Sequence, residues 1–151
     1  MKMTHLTTEG KARMVDITDK PVSRREARAQ GKIKLRPETL SLIKDNQVKK
    51  GDVLAVARIA GISAAKKTAD LIPLCHNITL NQVGVDFEFE EDGLRIFSRV
   101  ICEGKTGAEM EALTAVAVAA LTVYDMCKAV DKEMVIEKIF LQEKKKDEIQ
   151  S

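Results

Sequence analysis

The sequence predicts an α+β domain in which an antiparallel sheet carries helices on one face. Three observations carry that prediction. Residues 79–101 read as a β-hairpin, apolar helical stretches stand before and after it, and a further strand-like stretch lies toward each end of the chain. The 151 residues fit one domain, and a chain of about this size buries roughly 68–70% of its unfolded surface, enough for a real core.

In order, residues 24–35 predict a strand, because Ala27, Ala29, Ile33 and Leu35 alternate with Arg28, Gln30, Lys32 and Lys34. Pro37 suits a helix N-terminus, so residues 38–44 read as a short helix. Residues 51–69 repeat Val53, Leu54, Ala57, Ala60, Gly61, Ala64 and Ala65 at helical spacing, a stripe of mostly small side chains that lets another backbone approach closely. Pro73 ends that helix and opens a loop over residues 71–77. Val83, Val85, Phe87 and Phe89 recur at period two, Glu91-Asp92-Gly93 turns the chain, and residues 94–101 return. After a second loop, Gly104-Lys105-Thr106-Gly107, residues 108–130 form the longest helix and residues 134–141 the last strand. Strand, two helices, hairpin, helix, strand is the order of a ferredoxin-like fold. The expected organisation is a flexible N-terminal segment at 1–13, a single catalytic domain at 14–142 and a charged C-terminal tail at 143–151. The uncharged run at residues 112–124 needs cover on more than one side, from the helix at 51–69 or from a second copy of the chain.

Composition excludes several classes. Net charge is only +2, with 25 basic against 23 acidic side chains, a poor match to a long polyphosphate backbone. Aromatic residues make up 3%, too few for base-stacking platforms. The run at 112–124 is shorter than the ~20 residues that span a bilayer, and residues 1–10 lack a secretion signal's apolar block. Cys75, Cys102 and Cys127 are too few and too widely spaced for a disulfide framework or a zinc cage. A cytoplasmic protein without nucleic-acid or membrane partners is expected.

Candidate chemistry gathers in a few places. Asp125 and Lys128 are three residues apart and share a helix face; such a pair is usually a surface ion pair, but this one closes a helix too apolar to be exposed. Cys75-His76 sits in the loop after Pro73, where adjacent side chains point apart, so the histidine does not activate its neighbour as a nucleophile. His76 and His5 are the two histidines, and neither has partners at metal-ligand spacing. Glu109 and Glu111 suit a helix dipole and fall on different faces, reaching one pocket only where the first turn frays. Gly104-Lys105-Thr106-Gly107 lacks the spacing of a phosphate loop. Lys50 precedes a helix N-terminus, where backbone N–H groups already favour an anion.

Four strings carry a resemblance: Lys50-Gly51-Asp52-Val53; Asp70-Leu71-Ile72-Pro73-Leu74-Cys75-His76; Lys105-Thr106-Gly107-Ala108-Glu109-Met110-Glu111-Ala112-Leu113-Thr114; and Tyr124-Asp125-Met126-Cys127-Lys128-Ala129-Val130. From about Met14 to Leu141 the chain resembles the cyclic pyranopterin monophosphate synthase family, molybdenum cofactor biosynthesis protein C. The resemblance implies a hexamer built as a trimer of dimers, with the pocket between subunits. It implies a pyrophosphate-releasing lyase acting on (8S)-3′,8-cyclo-7,8-dihydroguanosine 5′-triphosphate to form cyclic pyranopterin monophosphate. It further implies Asp125 as acid/base, Lys50 and Lys128 as proton-transfer and charge-stabilising groups, and Leu74, Cys75, His76, Met110 and Glu111 as pocket lining. Arg25 and Lys66 become phosphate contacts and Glu109 a contact to the purine-derived ring. No metal site or cofactor is implied, although a divalent ion could accompany the triphosphate. Asn77 stands where many relatives carry proline, and the tail lacks the Gly/Ser-rich lysine segment of some relatives. The competing readings are a non-catalytic nucleotide-sensing domain of the same fold and, behind it, an RNA-binding sheet, which would need aromatic pairs on its open face.

Overall fold

The computed structural model describes Thr7 and residues 10–149. The elements are β1 (Ser23–Lys34), α1 (Pro37–Lys44), α2 (Val53–Lys66), α3 (Thr68–Leu71), β2 (Leu80–Glu90), β3 (Gly93–Gly104), α4 (Glu109–Cys127) and β4 (Val135–Glu148). The strands make one antiparallel sheet in the order β2-β3-β1-β4. With helices on one face, this is the predicted ferredoxin-like arrangement. The predicted loose segment falls largely outside the described residues, His5 included; at Thr7 the backbone N–H donates to the Lys11 carbonyl at 2.7 Å.

The core lies between the sheet and the helix pair. Ala27, Ala29 and Ile33 of β1 and Leu94, Ile96 and Val100 of β3 are fully buried, as are Ala112, Ala115, Val116, Ala119, Ala120 and Val123 of α4. The Ser98 hydroxyl, on the same sheet face, donates to the Ala112 carbonyl at 2.7 Å. The other side of α4 meets α2 through its small stripe: a β-carbon on Gly61 would stand 2.9 Å from the Ala115 carbonyl oxygen. Of the two covers anticipated for α4, the intrachain one is present, and it leaves Leu121, at 58% exposure, uncovered. Among the described residues α4 is the one helix long and apolar enough to cross a membrane by length and composition, and its place in the core explains that character.

Three boundaries differ from the sequence reading. The second helix ends at Lys66, and a separate turn of helix, α3, follows because the Thr68 hydroxyl bonds back to the Ala64 and Ala65 carbonyls at 3.0 Å. The long helix ends at Cys127, whose carbonyl accepts from both Val130 and Asp131 N–H groups at 3.0 Å. The largest change is in β4, which continues to Glu148 through residues read as a tail. Its charged half pairs with Ser23–Arg28 of β1, and ion pairs Arg24–Asp147 and Arg28–Glu143 accompany that pairing. Hydrophilic composition hid a strand because the strand is exposed on an edge.

The open sheet face carries paired charges: Lys32 meets Glu90 at 3.0 Å and Arg95 meets Glu90 at 2.9 Å, while Glu26 binds both Arg28 and Arg99. Arg95, with Lys32 behind it, holds the Glu90 carboxyl down at about 2. Phe87 and Phe89 pack against the core as expected, and Phe97 and Phe140 stand opposite Gln30 on the open face. The cations around those two rings are already neutralised, so the face offers no phosphate-receptive surface.

Asp131 ties the loop after α4 to the start of α1. It is 1% exposed and accepts from the Arg36 N–H at 3.0 Å, the Thr39 hydroxyl at 2.9 Å and the Glu133 N–H at 3.0 Å. Burial works to raise its pKa, but the bonds from Arg36, Glu133 and Thr39 outweigh it and the net shift is downward. Asp131→Ala is expected to lower stability by about 3 kcal/mol in chemical denaturation, since it orphans three donors. The carboxylate's contribution is complete above the ordinary aspartate pKa and is lost as pH falls through the folded value, so Asp131→Asn flattens the acid limb of thermal stability. Gly61→Val, which forces α2 off α4, is expected to cost about 1–3 kcal/mol in the same assay.

Candidate active site

Two clusters of functional side chains stand at opposite ends of α4. At its C-terminal end, Asp125 meets Lys50 Nζ at 3.1 Å through Oδ2 and Lys128 Nζ at 2.9 Å through Oδ1. Lys50 also donates to the Asp125 carbonyl at 3.1 Å. Gly51, with φ of 116°, makes the turn after Lys50 in a conformation other residues resist. The anion site expected at the α2 N-terminus is already used: the Asp52 carboxylate accepts from the Ala55 N–H at 3.1 Å, and Lys50 turns to Asp125 instead. Lys128, with Lys50 behind it, lowers the Asp125 pKa and so favours its ionised form. All three side chains are about half exposed, at 49%, 57% and 56% for Lys50, Asp125 and Lys128.

At the N-terminal end lies a cavity of about 370 Å³. Leu74, Cys75 and His76 form one wall, Thr106, Gly107, Glu109 and Met110 a second, and Val15, Ile17 and Lys20 a third. His76 holds the third wall in place, its Nε2–H donating to the Val15 carbonyl at 2.5 Å; that bond fixes the ring tautomer. Lys105 secures the same strap from the other side, donating to the Thr18 carbonyl at 2.9 Å. Glu111 is buried behind the cavity wall, its Oε2 accepting from the Cys75 thiol at 3.8 Å. Burial pushes the Glu111 carboxyl up, and burial together with Glu111 pushes the Cys75 thiol up.

The residues of both clusters fall on the strings that suggested a family, and the comparison with known proteins agrees: the MoaC family model matches residues 14–147. The chain belongs to the MoaC family. It is 58% identical over 142 residues to the cyclic pyranopterin monophosphate synthase of Chloroflexus aurantiacus, covering 93% of this chain and 87% of that protein. The enzymes of the same name from Peptoclostridium acidaminophilum and Herpetosiphon aurantiacus are each 55% identical, over 93% and 94% of this chain and 90% and 88% of theirs.

In this MoaC-family chain the structure brings together Lys50, Asp125 and Lys128 in one group and Leu74, Cys75, His76, Glu109, Met110 and Glu111 in the other. It does not join the groups: fifteen residues of helix, from Met110 to Asp125, separate them by about 22 Å. Glu109 lines the pocket, whereas Glu111 does not and meets it only through the Cys75 thiol. Arg25 lies below that pocket, its Nη2 donating to the Lys105 carbonyl at 3.4 Å and its buried Nε without a partner. Lys66 lines a separate cleft between α2 and β2 with Ile62, Ile78 and Leu80.

Sequence reasoning left the tail lysines, Lys144 among them, without an assigned role; the Lys144 Nζ lies 3.1 Å from Glu109 at the cavity. Lys144 falls opposite Ala27 on the helix side of β4 because the register shift between Arg28 and Ala29 offsets the period-two pattern from Leu141, which alone would turn Glu143 and Lys145 inward. Lys20 was missed, because the strap before β1 has no regular structure to mark it. Cys102 and Cys127 are fully buried and Cys75 is partly exposed. Iodoacetamide should therefore modify Cys75 alone in the folded protein, slowly at neutral pH and faster as alkaline pH ionises the thiol; peptide mapping checks both features.

Proposed function

We propose that this chain is a cyclic pyranopterin monophosphate synthase: a cytoplasmic lyase that converts (8S)-3′,8-cyclo-7,8-dihydroguanosine 5′-triphosphate to cyclic pyranopterin monophosphate and pyrophosphate. It acts as a homo-oligomer, a hexamer made of three dimers, in which the Asp125 end of one subunit closes over the Cys75–His76 pocket of another. The separation of the two clusters along α4 is the observation that carries this reading. The exposed cluster has a carboxylate and two ammonium groups but nothing to exclude water, whereas the pocket has walls and one Glu109–Lys144 pair but no carboxylate held between two ammonium groups. Joined across a boundary, each supplies what the other lacks. The relatives' shared name supports the reaction class.

In the joined site the ionised Asp125 takes a proton from the substrate during ring rearrangement, and Lys50 and Lys128 return protons and balance the charge. Lys20, Arg25 and Lys144 provide the cations beside the pocket that stabilise the departing pyrophosphate. His76 holds the strap that covers the base, and Glu109, released from Lys144, meets the purine-derived ring. A divalent ion would enter with the triphosphate as part of the substrate.

Asp125→Asn and Lys128→Ala are expected to lower pyrophosphate release about 10²–10⁴-fold with the authentic substrate while light scattering shows unchanged assembly. Mixing inactive Asp125→Asn with inactive His76→Ala subunits should restore part of the activity, because hybrids rebuild one intact site. Absence of restoration after verified subunit exchange would reject the shared site. Tight substrate binding without product in the wild type would instead favour a sensing domain.

A further inference from the structure

Glu111 is 3% exposed, and no cation forms an ion pair with it among the described residues. One carboxyl oxygen, Oε2, receives the weak Cys75 thiol, and the other, Oε1, is buried without a hydrogen-bond partner on any other described residue; the residue's own backbone N–H is the one further donor acting on the carboxyl. The groups that act on this corner come from every neighbouring element. Cys75 belongs to the loop before β2, Cys102 to β3 and Glu109 to α4 itself; Arg25 of β1 acts on Cys102 and uses its Nη2 on the Lys105 carbonyl. A carboxylate placed here would be a buried charge with no counter-ion, so the acid form is favoured, and burial raises the pKa in that sense. Cys75 lines the cavity and Glu111 does not. The thiol therefore stands between a buried acid and the space a ligand occupies.

We infer from the unpartnered Oε1 and the thiol on Oε2 that Glu111 and Cys75 form a two-member proton relay into the pocket. Cys75 gives its S–H proton to a basic nitrogen of the bound substrate; the S–H bond breaks and an N–H bond forms. In the same concerted transfer the Glu111 carboxyl breaks its O–H bond to re-form S–H, and the carboxylate left behind regains a proton from water once product leaves. The relay rests on the reading that this pocket binds the substrate. It gives the site an acid distinct from Asp125, which is ionised and serves as a base.

Two measurements on the full chain decide it. Infrared difference spectra without substrate should show, at neutral pH, the carbonyl band of a protonated carboxyl that Glu111→Gln removes. In turnover, Glu111→Gln should lower kcat at least about tenfold and abolish the alkaline fall of the kcat–pH profile, which marks ionisation of the wild-type acid. Cys75→Ser, which still carries a transferable proton, should keep activity to within about tenfold, whereas Cys75→Ala should lose about a hundredfold. Equal loss in the serine and alanine variants overturns the relay, as does a pH profile that Glu111→Gln leaves unchanged. Product formation by a wild type lacking the band overturns the relay alone; the band without product overturns the assigned reaction and the relay's destination with it.

Discussion

The burial of α4 between the sheet and α2 is the constraint on which the rest of the molecule depends. Alanines, valines and the Gly61 contact let three layers of backbone approach closely, and the helix has no freedom to tilt or slide without opening the core. Both functional clusters are attached to this one rod. Its length, rather than any loop, sets how far apart they stand. A site that needs both must then be completed by bringing two rods together, a task for a neighbouring subunit rather than for hinge motion within the chain.

The rod also separates two electrostatic environments. Asp125 is in contact with water and two ammonium groups, which stabilise its charge; Glu111 is enclosed by thiols and apolar wall, which do not. One helix thus holds one carboxyl whose pKa is pushed down and another whose pKa is pushed up. Such a division of pKa values is how one set of side chains removes protons at one place and delivers them at another at the same pH. Neither assignment needs unusual residues, only their position along the helix and what faces them.

Much of this was legible in the sequence. Period-two and helical patterns are visible wherever one face is buried, so β1, the β2–β3 hairpin, α2 and α4 could be read directly, and the strings around Cys75, Glu109 and Asp125 marked the site. What could not be read depends on partners distant in the chain. The outer half of β4 has no buried face and looks like a solvated tail until its pairing with β1 is known. The grouping of Lys50 with Asp125 was proposed from resemblance, while the 22 Å or so between the clusters follows only from the helix being straight and whole. Lys66 is near the pocket in sequence logic but lies on another cleft, because the break before α3 turns the helix end toward β2.

The register of the central strand has a consequence for folding. Ser23, at the start of β1, pairs with Gly104 on one side and with Glu148 on the other. β1 therefore occupies the middle of the sheet, and its partner β4 follows only after α1 to α3, the hairpin and α4. Until then one of its edges is unprotected, and such distant pairing delays folding relative to chains built from nearby contacts. β1 must wait for a partner more than a hundred residues away, and the lysines and glutamates along the outer half of β4 keep that partner hydrated meanwhile.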